Sequence, residues 1–298
     1  MRFRNPAWRM RPLSTAYRVA VSLLIRRRPH TGPVVAPFDG GRSRIYADLN
    51  TAFGLWLYRY CGCDPDLLFV GQILRPGDVF IDGGAHAGMF TLVAASAVGP
   101  EGEVHAFEPH PVTFQMLQKN VTLNGFQNVV LHPEALGETD GETTFWAMDG
   151  DSAAWSHLGT ADEGSEGTAV SVKLATVSTS VPRATWDRVK LIKLDLEGSE
   201  LPALRGAREL LEAVHPVILL EFVPDHMKRF GVNAESVLHL LSDLGYRLLR
   251  PGKSWREWRP CSDAEAMNLD PERPNLLATT RIDRLLEGGV LVRIGERS

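Results

Sequence analysis

From Gly77 onward, short apolar runs alternate with segments whose apolar residues recur at helical spacing. That alternation marks βαβ units joined into a largely parallel sheet. Residues 78–82 predict a first strand, followed by a glycine-rich turn and an apolar helix over about 87–98. Residues 104–108 predict a second strand. A helix then opens near Pro111, carries Phe114, Leu117 and Val121 on one face, and stops at Asn124-Gly125, where glycine supplies a left-handed end. Residues 129–131 predict a third strand, and 189–194, 217–220, 246–249 and 276–279 complete the sheet. Ser199 is expected to cap one helix through Leu204, Ala207, Leu211 and Val214. Asn233 is expected to cap another, through Val237, Leu238, Leu241 and Leu244, that ends at Gly245. The stretch 149–168 is rich in Gly, Ser, Asp and Glu without periodicity, and reads as a loop excursion of the kind that covers active sites.

Composition narrows the class. The chain has 298 residues, 44% hydrophobic and 23% charged, enough to bury a sizeable core. The expected division is a basic, helical N-terminal segment over 1–40, a cap over 41–76, and a Rossmann-like domain over 77–298. A net charge of -4 gives no global pull on nucleic acid, and no nucleic-acid partner is expected. The charge is uneven, however. Arg2, Arg4, Arg9, Arg11, Arg18, Arg26, Arg27 and Arg28 all precede the first acidic residue, Asp39. The apolar run 19–25 is too short to span a bilayer and lacks a cleavage site after it. A basic amphipathic helix here would lie on an anionic membrane surface or a biosynthetic partner, or would simply cover the domain. Cys61, Cys63 and Cys261 have neither CxxC spacing nor a histidine partner in a recognisable pattern. The cytoplasm, with peripheral membrane contact through the N-terminus, is the expected location, and homo-oligomers are compatible with everything above.

The densest chemistry is Phe80-Ile81-Asp82-Gly83-Gly84-Ala85-His86-Ala87-Gly88 at the first strand-to-helix turn. Small residues there let a ligand approach backbone N–H groups at a helix N-terminus. Glu108 ends the next strand, where an acid grips ribose hydroxyls. A dinucleotide would suit both features, and an NAD-dependent oxidoreductase is the first rival reading. Two residues oppose it: Ala85 replaces the middle glycine of GxGxxG, and Asp82 places a carboxylate where a pyrophosphate would sit. A ligand bearing an ammonium and a sulfonium, S-adenosylmethionine, is instead attracted to such a site. Pro109 follows Glu108, and Glu134 and Ala135 follow the third strand, positioned to hold an adenine.

With these motifs in view, the chain resembles the FkbM family of S-adenosylmethionine-dependent methyltransferases over roughly residues 64–278. The motifs are Gly77-Asp78-Val79-Phe80-Ile81-Asp82-Gly83-Gly84-Ala85, Ala106-Phe107-Glu108-Pro109, Leu191-Ile192-Lys193-Leu194-Asp195-Leu196-Glu197-Gly198-Ser199-Glu200 and Leu219-Leu220-Glu221. The resemblance implies a class I methyltransferase fold, with helices on both faces of a mostly parallel twisted sheet and an antiparallel last strand. It also implies O-methylation of a hydroxyl on a sugar, glycolipid or secondary metabolite. His86 replaces an Asn common in the glycine loop, and Thr176-Val177-Ser178 stands where many relatives carry Thr-Leu-Asp.

Methyl transfer from a sulfonium needs an acceptor oxygen in line with the methyl and a group to take its proton. Asp195, Glu197 and Glu221 fall at the carboxyl ends of parallel strands, where ligands of doubly wound sheets bind. Lys193 projects to the same face as Asp195 by strand alternation and is expected to orient it. Asp195 or Glu197 is the candidate base, with Glu221 assisting. His226, Asp151 and Trp155 are candidate acceptor contacts, and His86 a further one. The carboxylates also suit Mg²⁺, but no metal ligand set is expected. A nucleic-acid methyltransferase with the arginine-rich N-terminus as its phosphate arm is the second rival. An Asn-Pro-Pro-Tyr-type motif for a flipped base is not found in the sequence.

Overall fold

The computed structural model describes residues 12–25, 32–60, 63–148, 150–159, 166–252, 257–282 and 285. The N-terminal arginines at 2, 4, 9, 11 and 26–28, together with Cys61 and Asp149, lie outside the described residues. Helix α1 (Pro12–Ile25) packs on α2 (Ala52–Tyr60), with Arg18 donating to the Tyr58 carbonyl at 3.0 Å and Arg59 to Ser22 Oγ at 2.7 Å. Between them β1 (Val34–Phe38) and β2 (Ser43–Ala47) form an antiparallel hairpin that spans position 40, where the sequence reading ends its first segment. Helix α3 (Pro65–Ile73) is capped by Asp64 and leads into the sheet. Among the described residues no helix is long and apolar enough to cross a membrane.

The core follows in chain order: β3 (Val79–Gly83), α4 (Met89–Val98), β4 (Glu103–Phe107), α5 (Pro111–Asn124) and β5 (Val129–His132). Gly125 closes α5 in the left-handed conformation (φ 67°), as its position after Asn124 predicts. A small second sheet comes next, built from β6 (Ala135–Leu136), β7 (Gly141–Ala147), β8 (His157–Leu158) and β9 (Thr168–Ala175) in the order β6-β9-β7-β8. The main chain returns through a short α6 (Val177–Ser180), β10 (Val189–Leu194), α7 (Glu200–Gly206), α8 (Arg208–Val214), β11 (Val217–Glu221), α9 (Pro224–Lys228) and α10 (Ala234–Asp243). It closes with β12 (Arg247–Pro251), β13 (Trp258–Pro260), α11 (Asp263–Ala266) and β14 (Asn275–Thr279).

The main sheet runs β13-β12-β14-β11-β10-β3-β4-β5. Strands β5, β4, β3, β10 and β11 are mutually parallel, and β14 is inserted antiparallel to both β11 and β12. Apolar side chains cover both faces. Leu204 of α7, Leu211 of α8 and Val237 and Leu241 of α10 pack on one, and Phe69 of α3, Leu92 and Val93 of α4 and the hairpin residues Phe38 and Ile45 on the other. This is the Rossmann-like class I sheet, with the antiparallel last strand, that the family resemblance implies.

Three local expectations are corrected. The single helix expected after Ser199 is two short helices separated at Ala207. Ser199 does not cap with its side chain, which donates to the Leu196 carbonyl at 3.0 Å; the Glu200 carboxylate takes the amides of Leu196 and Gly198 instead. The excursion over 149–168 holds a 3-10 turn (Gly150–Trp155) and β8, and the strands flanking it went unread. Val170, Val172 and Leu174 alternate along β9 and pair across to β7 at Phe145, Thr143 and Gly141.

Candidate active site

A cavity opens at the carboxyl ends of β3, β4, β10 and β11, roofed by the small sheet and by α2. On one side it is lined by Gly84, Ala85, His86, Glu108 and Pro109, with Glu134 and Ala135 beside them. On the other stand Lys193, Asp195, Glu197 and Glu221. Eleven of the residues singled out from sequence therefore share one wall or the other.

The turn after β3 is closed on itself. Gly84 and Ala85 N–H both donate to the Phe107 carbonyl, at 3.1 and 2.9 Å, and Gly88 N–H donates to the Ala85 carbonyl at 2.8 Å. His86 N–H donates to Glu108 Oε2 at 2.8 Å. The expectation that these amides receive the ligand is corrected, because each already has an acceptor. A pyrophosphate finds no cradle at these amides. The glycines serve packing. A Cβ on Gly84 (φ 73°) would lie 1.9 Å from the Asp195 carbonyl oxygen, and one on Gly88 (φ 93°) would lie 2.7 Å from Leu117.

Asp82 lies beneath the cavity wall, fully buried. Strand register sets it beside Lys193, its partner residue across β3 and β10. Lys193 Nζ is 3.6 Å from Asp82 Oδ1 and 3.4 Å from Asp195 Oδ2, and donates to the carbonyls of Gly83 (3.2 Å) and Gly84 (2.8 Å). Thr91 donates to Asp82 Oδ2 at 2.6 Å. Burial pushes the Asp82 carboxyl up, against the pull of Lys193 and Thr91. Burial alone would lower Lys193, but Asp195 and Asp82 outweigh it and hold the ammonium above its usual value. Asp82 is thus a compensated structural charge, not the open anion expected from sequence. Gly83 likewise lies below the wall, where a Cβ would run into Leu194 and Leu136.

Glu108 accepts from the His86 and His110 amides, both at 2.8 Å, and burial pushes its carboxyl up to about 7 against those two bonds. Burial lowers the His86 imidazole to about 4, and its ring meets Phe53 edge-on with centroids 4.8 Å apart. Glu134 Oε2 stands 3.9 Å from His132 Nδ1.

The opposite rim is more open. Asp195 keeps 40% of its side chain exposed. Glu197 Oε2 is 3.1 Å from His226 Nδ1, which is 4.0 Å from Glu221 Oε2. The contact with Glu197 holds the His226 imidazole above its usual value, against burial. Burial, then the charges of Asp195 and Glu197, push Glu221 well above the usual carboxylate range. Beneath the rim Glu200, pushed up to about 7 by burial, ties the 196–198 backbone together.

His226 supports the wall from behind rather than lining the cavity, and the side chains of Asp151 and Trp155 lie outside what is described. Ala153, Ser156 and Leu158 of the excursion do line it. Sequence reasoning missed Phe53, Met89, Phe90 and Phe145. Alternation in β7 was a signal for Phe145; Phe53 arrives from a cap helix whose docking no pattern encodes.

A model of the methyltransferase FkbM domain matches residues 82–248, more than half of the 298 residues. A stretch of 148 residues is 31% identical to Methyltransferase 1 of Beauveria bassiana (strain ARSEF 2860), covering 44% of this chain and 59% of that protein. Another of 74 residues is 46% identical to the 31-O-demethyl-FK506 methyltransferase FkbM of Streptomyces tacrolimicus, covering 25% of this chain and 28% of that one. The match thus spans less than two thirds of either relative. Among solved structures, Methyltransferase FkbM from Methylobacillus flagellatus KT aligns over 76% of this chain and 54% of its own with 16% identity and a TM-score of 0.42. With the domain matched over most of the sheet that builds this cavity, the chain belongs to the FkbM methyltransferase family.

Proposed function

We propose that this protein is an S-adenosylmethionine-dependent methyltransferase that O-methylates a hydroxyl of a sugar, glycolipid or secondary metabolite. The observation carrying the reading is the asymmetry of the cavity: amides already satisfied on one wall, and on the other three carboxylates that outnumber their cations, Lys193 and His226. Such a site disfavours a phosphate anion and favours a cationic donor. Glu108, fixed by two backbone amides at the end of β4, is placed to accept hydrogen bonds from ribose hydroxyls, and Glu134 and Ala135 flank the adenine position.

When bound, the donor supplies an electrophilic methyl group whose sulfonium becomes a thioether on transfer. Asp195 is the base that takes the hydroxyl proton, because it is the most open of the rim acids and Lys193 fixes its direction. Lys193 is a positioning residue, tied to two carbonyls and two carboxylates at once. The excursion residues Ala153 and Leu158 and the aromatic Phe145 shape the acceptor side. The Streptomyces relative, named a 31-O-demethyl-FK506 methyltransferase, supports oxygen as the accepting atom. The basic N-terminal segment is proposed to meet an anionic surface or a partner enzyme; Leu13 and Tyr17 on α1 are exposed beside it.

Calorimetry with S-adenosylmethionine and with NAD tests the donor. Affinity for the first and none for the second is expected, weakened about tenfold or more in Glu108→Ala. Binding of NAD alone refutes the proposal. Transfer of labelled methyl to a panel of polyols and hydroxylated macrolides then identifies the acceptor.

A further inference from the structure

Three elements converge on one point beside the cavity. Glu197 stands in the turn after β10, Glu221 is the last residue of β11, and His226 lies on α9. Their ligand atoms, one from each side chain, lie within 4.8 Å of one another. Glu197 Oε2 and His226 Nδ1 are both shut off from solvent and stand 3.1 Å apart as an ion pair, without the alignment of a full hydrogen bond. Buried polar atoms that share only an ion pair and no aligned hydrogen bond have capacity left for a further ligand.

We infer that Glu197, Glu221 and His226 form a binding site for one divalent transition-metal ion of the Mn²⁺ or Zn²⁺ kind. Two donors each about 2.1 Å from one ion lie roughly 3.0 Å apart at a right angle and about 4.2 Å apart when opposed. The observed separations of 3.1 and 4.0 Å fall within that span. The charge also fits: Asp195 and Glu200 add their carboxylates to the pair, against Lys193 acting on Glu221 and Arg229 acting on His226. An imidazole nitrogen in the set selects a transition ion over Mg²⁺ or Ca²⁺, which take oxygen donors. Three protein ligands leave positions open, and Glu197 and Glu221 both reach the cavity wall. The role of such an ion rests on the methyl-transfer reading: it would hold the acceptor oxygen and lower the pKa of its proton. The binding itself does not rest on it. Sequence reading assigned these residues separately to catalysis and acceptor contact, because their convergence depends on where α9 folds back.

The test uses the full chain stripped by chelator and dialysed, then titrated with Mn²⁺ followed by electron paramagnetic resonance and with Zn²⁺ followed by metal analysis. One ion per chain is expected. Binding should weaken about tenfold or more in His226→Ala and Glu221→Gln, recover partly in His226→Asp, and stay unchanged in Asp225→Asn, an exposed neighbour. Should His226→Ala unfold, His226→Gln takes its place. No uptake by the wild type, or uptake indifferent to these variants, overturns the site and leaves His226 and Glu197 as a plain ion pair. S-adenosylmethionine affinity measured in parallel separates the two readings. Donor binding without metal overturns only the metal site, and metal without donor overturns only methyl transfer.

Discussion

At the end of β3, Asp82 is enclosed completely and answered by Lys193 and Thr91. At the ends of β10 and β11, Asp195, Glu197 and Glu221 keep part of their surface, and Glu221 is pushed far above its usual range by burial and then by the charges of its neighbours. Both regions are acidic, and both stand out in the sequence as strand-end carboxylates. Only the second is left with unbalanced charge. Charge compensated inside the protein holds a fold together, whereas charge left unbalanced at a cavity is available to a ligand. The rim's excess of acid is what the donor's cation and the proposed ion both draw on, and Asp82 contributes by fixing Lys193.

The sharpest way to break this comparison is to remove one acid of the open rim. Asp195→Asn should lower kcat by roughly two to four orders of magnitude, the usual contribution of a positioned base, while the affinity for S-adenosylmethionine changes little. A variant with normal turnover would show that positioning alone drives transfer. On the closed side the expected loss is one of stability. Lys193→Met leaves Asp82 buried with only Thr91 to answer it, and such a severed ion pair costs about 3–5 kcal/mol. Urea unfolding measures it, and a loss below about 1 kcal/mol would mean that Asp82 takes up a proton at no cost.

Glu108 sits between these cases, closed by hydrogen bonds yet facing the cavity. Its carboxyl stands at about 7 in the folded protein against an ordinary 4.5. Between those values the unfolded chain has released a proton that the folded chain retains, so stability present below about 4.5 is lost as pH climbs through about 7. The imidazole of His86, held at about 4, acts oppositely and costs stability as pH falls from about 6.5. Subtracting the variant Glu108→Gln isolates the carboxyl. Its stability relative to wild type should improve by up to about 3 kcal/mol between pH 4.5 and 7, because each tenfold change in proton affinity is worth about 1.4 kcal/mol. A flat difference across that window would place Glu108 at its ordinary value.

The sheet was legible because β3, β4, β10 and β11 are buried on both faces and read as continuous apolar runs bounded by turns. The strand ends, and hence Glu108, Asp195, Glu197 and Glu221, followed from that pattern. What the chain hides is longer in range. Asp82 reads as an open anion until strand register places Lys193 beside it. The glycine turn reads as a ligand cradle until the Phe107 carbonyl is seen to take two of its amides. His226 meets Glu197 only because α9 returns to the turn after β10, and Phe53 covers His86 from a helix far upstream. Pattern reports which face a residue occupies, and partners across the fold decide whether its charge is spent.

The smallest effect carries the most information because its sign should reverse. In the closed region, deleting a charge exposes its partner and destabilises; at the rim, deleting one relieves repulsion. Glu221→Gln removes a carboxylate that Asp195, Glu197 and Glu200 all disfavour. In chelator, this variant should therefore unfold at the same urea concentration as wild type or slightly higher, a gain within about 1 kcal/mol. Saturating Mn²⁺ then separates the two proteins: a ligand present at a hundred times its dissociation constant adds about 2.7 kcal/mol to the form that binds it, and only the wild type keeps all three donors. A clear destabilisation of Glu221→Gln in chelator would instead place its carboxylate among the compensated charges, next to Asp82, and remove the distinction between the two strand ends.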